Sequence, residues 1–416
     1  MDEMIKALQG LVHFESVAEP EGAEYPYGKE VSRAKDYVLS LAKSMGMKTV
    51  DAGSYAYVEI GEGEKLIGML AHLDVVPAGD GWTKAPFGGE IADDRMYGRG
   101  TTDDKGPVIA ALYAMKELLE QKKPLQKRIR LILGQTEENG EWEDIEAYLE
   151  AEETPDYGFT PDGDFPAIQC EKGAMVFEIK MPLEGSGITS AEGGTAPNMV
   201  PGHAVLKTTD GNYEAEGKVC HGCAPWLGVN AISLAATKLT EAEPNSVFGK
   251  MYQDLIGETI YGERLGIADE DAESGKLSLN VGTISSDGKD VTLMVDIRYP
   301  ASSNPSDIEE TFCEKFGAYG GVSNCVYQVK PLFIPSDSPV LQALLSSYWK
   351  HTGDESAPVI IGGGTYAKAM PGIVAFGPNF PGHENREHME DEYILLEDFR
   401  KLREIYRDAL ENLLEI

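Results

Sequence analysis

Residues 66–107, LIGMLAHLDVVPAGDGWTKAPFGGEIADDRMYGRGTTDDKGP, contain the pattern around which the rest of the chain is arranged. They begin with an apolar run, LIGML, that is long enough to form one buried strand, and His72 and Asp74 follow it two residues apart. On a strand this spacing places both side chains on the same face. The later segment GRGTTDDKG is punctuated by glycines and carries Asp103. We therefore expect His72 and Asp103 to ligate a metal ion, with further ligands supplied by other parts of the chain.

The length and charge of the chain narrow the possible architectures and partners. A chain of 416 residues exceeds what one hydrophobic core usually serves, so we expect two domains. Its contents of 42% hydrophobic and 25% charged residues are ordinary, but the formal net charge of -34 is strongly acidic. We expect no nucleic acid and no anionic membrane among its partners, because both need a basic protein surface.

The cysteines and the first residues favour a cytoplasmic protein. The five cysteines are scattered and do not form the pattern of a disulfide framework. The first residues, MDEMIKALQGLVHF, include two early acids and lack the apolar core of a signal peptide. We also see no uninterrupted apolar stretch long enough to span a membrane.

Helix and strand patterns alternate along the first part of the chain. Apolar periodicity predicts helices at residues 1–14, 28–45, 108–119 and 141–150. Apolar runs predict strands at residues 55–60, 65–76, 128–134 and 157–160. This alternation is typical of an α/β fold with parallel strands.

Polar residues follow several of these predicted strands. His72 and Asp74 end one strand, Glu137 and Glu138 follow the next, and Asp162 follows a third. In open α/β sheets, ligands bind beyond the carboxyl ends of the strands. We therefore predict that these side chains converge at one edge of the sheet.

The pattern changes near residue 175 and changes back after Pro335. Between these points it is α+β, with strands at residues 175–180, 204–209, 277–283, 290–298 and 324–330 and helices at 224–239, 246–259 and 307–319. After Pro335 we predict helices at residues 339–350 and 396–414 and strands at 359–361 and 373–376. This change predicts a discontinuous domain of residues 1–176 and 335–416 and an inserted domain of residues 177–334.

The residue types after the strands are those that hold catalytic divalent metals, which take histidine nitrogen and carboxylate oxygen. The candidates are His72, Asp103, Glu137 or Glu138, Asp162 and a late histidine. One such residue after a strand is more often structural, but several together favour a metal site, since a cation relieves the repulsion between carboxylates. Glu137 and Glu138 point in different directions, so one can ligate while the other acts as a base. The alternative is a solvated acidic loop, which the nearby acids Glu141, Glu143 and Asp144 also favour.

Three further features leave alternatives open. His383 and His388 both precede the last helix, and their chemistry does not decide which one could be a ligand. Two cysteines flank His221 in the segment CHGC, but no thioredoxin-like pattern and no second pair of zinc ligands accompanies them. The run GGGT at residues 362–365 lacks the lysine of a phosphate loop, although its backbone N–H groups can approach a ligand closely.

In combination, these motifs resemble the M20 family of metallopeptidases. The resemblance spans nearly the whole chain and rests on HLDVVP at residues 72–77, GRGTTDDKG at 98–106, EE at 137–138, PD at 161–162, NMVP at 198–201, His221 followed by AP at 224–225, GGGTY at 362–366 and His388. Within the family the chain looks closest to the PepV-type dipeptidases and their Xaa-His dipeptidase relatives. The resemblance implies a mixed-sheet zinc-peptidase catalytic domain with an inserted α+β lid domain.

The resemblance also implies a site for two divalent metal ions. His72 and Asp162 would hold one ion, Glu138 and His388 would hold the other, and Asp103 would bridge both. Zinc is the first expectation, and manganese or cobalt is also compatible with histidine and carboxylate ligands. The peptide bond between Asp103 and Asp104 would be cis.

Catalytic and substrate-binding roles follow from the same resemblance. Asp74 would orient the neighbouring ligands. Glu137 would take a proton from the metal-bridging water that acts as the nucleophile and would later pass it to the leaving amine. His221, in the lid domain, would stabilise the oxyanion, and Arg298 would clamp the substrate carboxylate. The remaining substrate-binding residues would be Asn198, Gly364 and Thr365.

Two features indicate the subclass. In this family an aspartate at the position of Asp162 accompanies aminopeptidase and dipeptidase activity, so the implied substrate is a free dipeptide. The long insert resembles that of monomeric relatives, so we expect a monomer, with a homodimer as the alternative. The alternative functions are an N-acyl amino acid deacylase on the same fold, such as a succinyl-diaminopimelate desuccinylase, and a non-catalytic binding relative.

Overall fold

The computed structural model describes residues 2–20, 25–140 and 142–416. The chain forms two compact units, and the second unit interrupts the first along the sequence. The first unit consists of Met1–Gln169, Ile334–Val359 and Thr365–Ile416, and the second consists of Cys170–Phe333 and Ile360–Gly364. The assignment of functional domains to residues 1–176 with 335–416 and to residues 177–334 stays a prediction.

The first unit is a mixed α/β structure. Its helices are Glu3–Val12, Lys29–Ser44, Lys105–Glu120, Glu143–Ala151, Pro339–Thr352 and Leu396–Leu414, with a short 3-10 helix at Tyr366–Ala369. The strands of its main sheet are, in spatial order, Lys48–Asp51, Ala56–Ile60, Arg128–Gly134, Leu66–His72, Tyr157–Thr160, Ile373–Ala375 and Ile168–Glu171. The last of these strands pairs with Leu332–Phe333 and Val359–Ile361, where the chain passes from the first unit into the second. The predicted helices and strands are confirmed with shifted ends, except that Met1 and Glu141, which begin two of the predicted helices, lie outside the described residues.

Four neighbouring strands in the middle of this sheet run parallel. They are Arg128–Gly134, Leu66–His72, Tyr157–Thr160 and Ile373–Ala375. Every residue of the strand Leu66–His72 is buried, as expected for a parallel strand that is covered on both faces. The carboxyl ends of all four strands therefore lie at one edge, as the sequence predicts.

A small antiparallel sheet brings the C-terminal part of the chain to this unit's glycine-rich segment. Its strands are Glu90–Ala92, Arg95–Tyr97 and Tyr393–Leu395. The central strand pairs with both of the others, so the residues just before Tyr393 lie beside those that follow Tyr97. These short strands were not predicted from the sequence.

The second unit is α+β. Its seven-stranded antiparallel sheet contains, in spatial order, Asn212–Glu216, His203–Lys207, Ser190–Gly193, Ser278–Ser286, Asp290–Tyr299, Gly173–Pro182 and Val322–Val329. Its helices are Ala231–Ala242, Val247–Leu255 and Pro305–Gly317, with a 3-10 helix at Pro225–Leu227. Two short ribbons pair Met199–Val200 with Cys220–His221 and Glu270–Asp271 with Gly275–Lys276.

The single helix predicted at residues 224–239 is wrong at its start. The chain forms the separate turn Pro225–Leu227 and then becomes extended at Gly228. The helix Ala231–Ala242 begins only after Asn230, whose side chain accepts hydrogen bonds from the N–H groups of the first turn. The capping asparagine, rather than the proline, therefore sets the start of this helix.

Within residues 2–20, 25–140 and 142–416, every helix is too short or too polar to span a lipid bilayer.

Candidate active site

Asp103 lies between two histidines in the first unit. Its Oδ1 is 2.9 Å from His72 Nε2, and its Oδ2 is 2.9 Å from His388 Nε2. His388 Nε2 is also 3.2 Å from Glu138 Oε1. One carboxylate therefore presents a different oxygen to each imidazole.

Further carboxylates complete two overlapping groups of possible metal ligands. One group is His72, Asp103 and Glu138, and the other is His72, Glu137 and Asp162. Within each group the ligand atoms all lie within 4.8 Å of one another. The structure thus brings together all five residues that the sequence analysis names as metal ligands, together with Glu137.

The parallel strands explain this convergence. His72 ends one strand, Glu137 and Glu138 follow a second, and Asp162 follows a third. Their positions beyond the carboxyl ends of neighbouring parallel strands are those where α/β sheets bind ligands. The Asp103–Asp104 peptide bond, just before the helix Lys105–Glu120, is cis, as the family resemblance implies.

The charges of this group depend strongly on one another. Burial raises the pKa of Asp103, but hydrogen bonds with His388 and His72 outweigh it and lower that pKa below its ordinary value. Hydrogen bonds to Asp103 and Glu138 raise the pKa of His388 to about 11. Burial, with repulsion from neighbouring carboxylates, raises the pKa of both Glu137 and Glu138. Carboxylates packed this closely require positive charge nearby.

The donor atoms fit divalent metal ions. Both groups combine imidazole nitrogen with carboxylate oxygen, and neither contains a thiolate. Such a set suits zinc and is compatible with manganese or cobalt. Cations bound between these atoms would supply the charge that the carboxylates require.

Asp74 supports both glutamates through their backbone. Its Oδ1 accepts a hydrogen bond from the N–H of Glu137 at 3.2 Å, and its Oδ2 accepts one from the N–H of Glu138 at 3.0 Å. The Asp74 carbonyl lies 3.1 Å from His72 Nδ1. Since Asp74 is fully buried, this single residue links one histidine with the turn that carries both glutamates.

In the second unit, His221 lies on the ribbon that pairs with Met199–Val200, next to Asn198. The backbone N–H of Cys223 donates to His221 Nδ1 at 3.2 Å. Burial, with the positive charge of Arg298, lowers the pKa of His221. Because Nδ1 accepts the N–H of Cys223, the ring proton resides on Nε2.

The other predicted substrate-binding residues occupy both units. Arg298 contacts Asp296 and the carbonyl of Gly362 in the second unit, which also contains Gly364. Thr365 belongs to the first unit, where its hydroxyl accepts a hydrogen bond from Ala367 N–H at 3.2 Å and caps a short 3-10 helix. Their roles toward a substrate stay predictions.

A family model described as peptidase family M20/M25/M40 matches residues 68–412. The chain belongs to this family. The predicted resemblance is confirmed, and with it the assignment of the chain as a hydrolase of the metallopeptidase class.

Individual M20 relatives extend over nearly the whole chain. A Bacillus subtilis (strain 168) protein named "Putative dipeptidase YtjP" is 34% identical over 451 residues, covering 98% of this chain and 96% of the relative. The crystal structure of human carnosine dipeptidase 1 has a TM-score of 0.64 at 15% identity and covers 100% of this chain and 96% of its own. That of the Bacillus subtilis YXEP protein, described as a dinuclear metal binding peptidase from the M20 family, has a TM-score of 0.58 at 12% identity and covers 99% and 98%. The two structures show that the fold is shared.

Two residues that support the site of this M20 chain were given no such role from the sequence. Tyr366 donates from its hydroxyl to Asp144 Oδ2 at 2.9 Å, and its ring stacks on His72 with a centroid distance of 6.1 Å and an interplanar angle of 11°. Asp144 also accepts from the N–H and the hydroxyl of Thr136 and from the N–H of Gln135. It thereby holds the end of the strand that leads into the two glutamates.

The solvated acidic loop considered from the sequence is therefore wrong for Asp144, which is fully buried, while Glu143 is exposed and Glu141 lies outside the described residues. A signal did exist for Tyr366, since it belongs to the GGGTY segment. Asp144 had none, because its neighbours are also acids.

A buried ion pair supports Asp103 from the other side. Arg99 Nη1 lies 2.7 Å from Glu392 Oε2. Glu392 Oε1 accepts hydrogen bonds from the N–H groups of Thr102 at 3.0 Å and Asp103 at 3.4 Å. The pair is thus attached to the backbone of the central carboxylate, and Glu392 belongs to the same chain segment as His388.

His383 contacts a different partner from His388. Its Nδ1 lies 2.7 Å from Asp398 Oδ2, near the start of the last helix, and its side chain is largely exposed. Within the described part of the chain, His383 belongs to neither group of possible metal ligands. The geometry therefore favours His388 as the late histidine.

Proposed function

We propose that this M20 chain is a two-metal dipeptidase that hydrolyses the peptide bond of free dipeptides. The observation that carries the proposal is Asp103, whose two oxygens face His72 and His388 separately. In this proposal His72 and Asp162 would hold one ion, Glu138 and His388 would hold the other, and Asp103 would serve both. The Bacillus subtilis relative that carries a dipeptidase name supports the substrate class.

The metal ions are most simply zinc, with manganese or cobalt as alternatives. Bound at this site, they would lower the pKa of water and polarise the scissile carbonyl group. The chain's own residues must then hold the ligands in place, move the proton and bind the ends of the substrate.

Glu137 is the proposed carrier of the proton. It takes a proton from the attacking water and gives it to the leaving amine. Two contacts support this role: its backbone is held by Asp74, and its carboxylate lies in one ligand group with His72 and Asp162. Glu138, held by the other oxygen of Asp74, remains free to ligate.

Residues of the second unit are the proposed binders of the substrate. His221 donates from Nε2 to the oxyanion, since its Nδ1 already accepts an N–H. Arg298 binds the substrate carboxylate because its planar fork matches that group. Asn198, Gly364 and Thr365 complete the proposed substrate-binding set.

The purified protein provides the first test. We expect metal analysis to find two divalent ions per chain, and the loaded protein to cleave free dipeptides but not N-acyl amino acids. Cleavage of N-acyl amino acids alone would replace the proposed dipeptidase with a deacylase. Metal binding without cleavage of either substrate class would indicate a binding protein.

The two late histidines allow a matched test of the site. We expect His388→Ala to weaken metal binding by at least about 10–100-fold, which is the effect of removing a residue that only hydrogen-bonds to a metal ligand. The variant should also lose most of its hydrolytic activity. His383→Ala removes a histidine from the same segment and should keep both the metal and the activity. Equal metal loss in the two variants would contradict the assignment of His388.

A further inference from the structure

Arg298 is held by two acceptors within the second unit. Its Nε lies 3.0 Å from Asp296 Oδ1, its Nη2 lies 3.2 Å from Asp296 Oδ2, and its Nη1 lies 3.2 Å from the carbonyl oxygen of Gly362. Asp296 and Arg298 are two residues apart on the strand Asp290–Tyr299, so they share one face of the sheet. The carboxylate of Asp296 is completely buried.

These contacts do not use all the donors of the guanidinium. An arginine side chain has five N–H groups, of which three are taken here. Among the residues that the structure describes, no acceptor remains for one N–H on Nη1 and one on Nη2. The fork of Arg298 is therefore fixed along one edge and still has one donor on each terminal nitrogen.

The same buried carboxylate lies against the loop that carries His221. Gly222 donates its N–H to the carbonyl of Asn198 at 2.7 Å. A Cβ atom at Gly222 would lie 2.9 Å from Asp296 Oδ2 and 2.9 Å from the Asn198 carbonyl oxygen. Only glycine lets this loop pack directly on Asp296.

Asn280 supports the neighbouring loop from the adjacent strand. It is directly opposite Asp296 in the register and is also buried. Its Nδ2 donates to the carbonyls of Pro197 at 3.2 Å and Met199 at 2.9 Å, the residues on either side of Asn198. Buried polar groups on one sheet face thus hold the segments that carry all three proposed substrate-binding side chains of this unit.

We propose that Asp296 is a positioning residue that fixes the fork of Arg298 so that its two remaining N–H groups bind the free C-terminal carboxylate of a peptide. The inference rests on the proposed function and deepens it by naming the residue that sets this preference. A preorganised arginine loses less conformational freedom on binding than a mobile one. A C-terminal amide has only one oxygen, and its NH₂ group would face an N–H of the fork.

The test compares a free dipeptide with its C-terminal amide. We expect the wild-type enzyme to prefer the free dipeptide. Asp296→Asn should raise KM for the free dipeptide about tenfold, since an asparagine offers only one acceptor to Nε and Nη2, with a much smaller effect on the amide. Asp287→Asn, at the turn of the same hairpin, is the matched control and should behave as wild type on both substrates. Metal content should be the same in all three proteins.

Each contrary result has a distinct meaning. An unchanged or lower KM for the free dipeptide in Asp296→Asn would overturn the inference, as would an equal loss on the amide. A wild-type enzyme that cleaves dipeptide and amide equally would overturn it while leaving the proposed dipeptidase intact, whereas a wild type that cleaves neither would refute the function itself.

A second comparison removes both charges of the pair. Asp296 is proposed to act only through Arg298, so the double variant Asp296→Asn/Arg298→Met should match Arg298→Met in its ratio of kcat/KM between the two substrates. A further change in that ratio would show that Asp296 acts by another route and would overturn the inference. Because the ratio compares two substrates on the same sample, it does not depend on the folded fraction and keeps the test valid if a single variant folds poorly.

Discussion

Replacing Asp74 with asparagine converts one acceptor oxygen into an N–H donor while nearly preserving the shape of the side chain. In the native structure each oxygen accepts a backbone N–H, one from Glu137 at 3.2 Å and one from Glu138 at 3.0 Å. Asparagine can satisfy only one of these donors, and its own NH₂ group then faces the other. No water can compensate at this position, because Asp74 is completely buried.

The cost follows from the two contacts. A hydrogen bond to a charged acceptor contributes about 1.5–3 kcal/mol, and a buried donor left without an acceptor costs about 1–3 kcal/mol. We expect Asp74→Asn to lower the free energy of unfolding by about 2–4 kcal/mol. Since the same N–H groups orient the two glutamates, metal affinity should also fall about 10–100-fold, as it does when other outer partners of ligands are lost.

The assay is a titration of the metal-free protein with zinc in competition with a chelating indicator, together with urea unfolding. Asp156→Asn is the matched control, because Asp156 accepts the N–H of Leu66 at 2.8 Å at the opposite end of the strand that leads to His72. Asp156 is exposed, so water can replace the lost acceptor and zinc affinity should not change. Wild-type zinc affinity in Asp74→Asn, or an equal loss in Asp156→Asn, would refute the reasoning.

Two further variants test other supports of the first unit. Tyr366→Phe should lower the free energy of unfolding by about 1 kcal/mol, because Asp144 loses one of several hydrogen-bond donors while the ring over His72 remains. The measurement is urea unfolding, and an unchanged midpoint of the urea transition would contradict the prediction. The basic partners of Asp408 are Lys350, His351 and Arg407. Burial raises the pKa of Asp408, but these hydrogen bonds outweigh it and lower the pKa to about 2. The stabilising effect of the Asp408 carboxylate is therefore complete above about pH 4 and is lost as the pH falls through about 2. Over that interval the free energy of unfolding should fall more for wild type than for Asp408→Asn. Parallel curves of unfolding free energy against pH for the two proteins would contradict this.

The local elements around the site could be predicted because their signals are local. An apolar run predicts the strand Leu66–His72, and polar residues at the ends of parallel strands predict a shared edge. Chemistry alone did not distinguish His383 from His388 or assign Glu137 and Glu138, and the family resemblance supplied those choices. The geometry agrees with the choice of His388.

The supporting contacts could not be predicted, because their partners are distant in sequence. Arg99 and Glu392 are 293 residues apart, and neither belongs to a pattern that indicates the other. Asp144 lies in a run of acids, and only the fold shows that it is buried beneath Tyr366. The misplaced helix start before Ala231 has a different cause, since a proline that opens a turn resembles a proline that opens a helix.

The hydrogen bond from the Cys223 amide to His221 has a consequence for the movement of protons. An imidazole whose Nδ1 accepts an N–H has only its Nε2 proton, and giving that proton away would leave an anionic ring. In the proposed reaction His221 would therefore stabilise negative charge and would not relay a proton to the departing amine. All proton transfers in the proposed reaction are therefore assigned to Glu137. Any residue other than proline at position 223 would preserve the hydrogen bond to His221, because only the backbone N–H of this residue takes part.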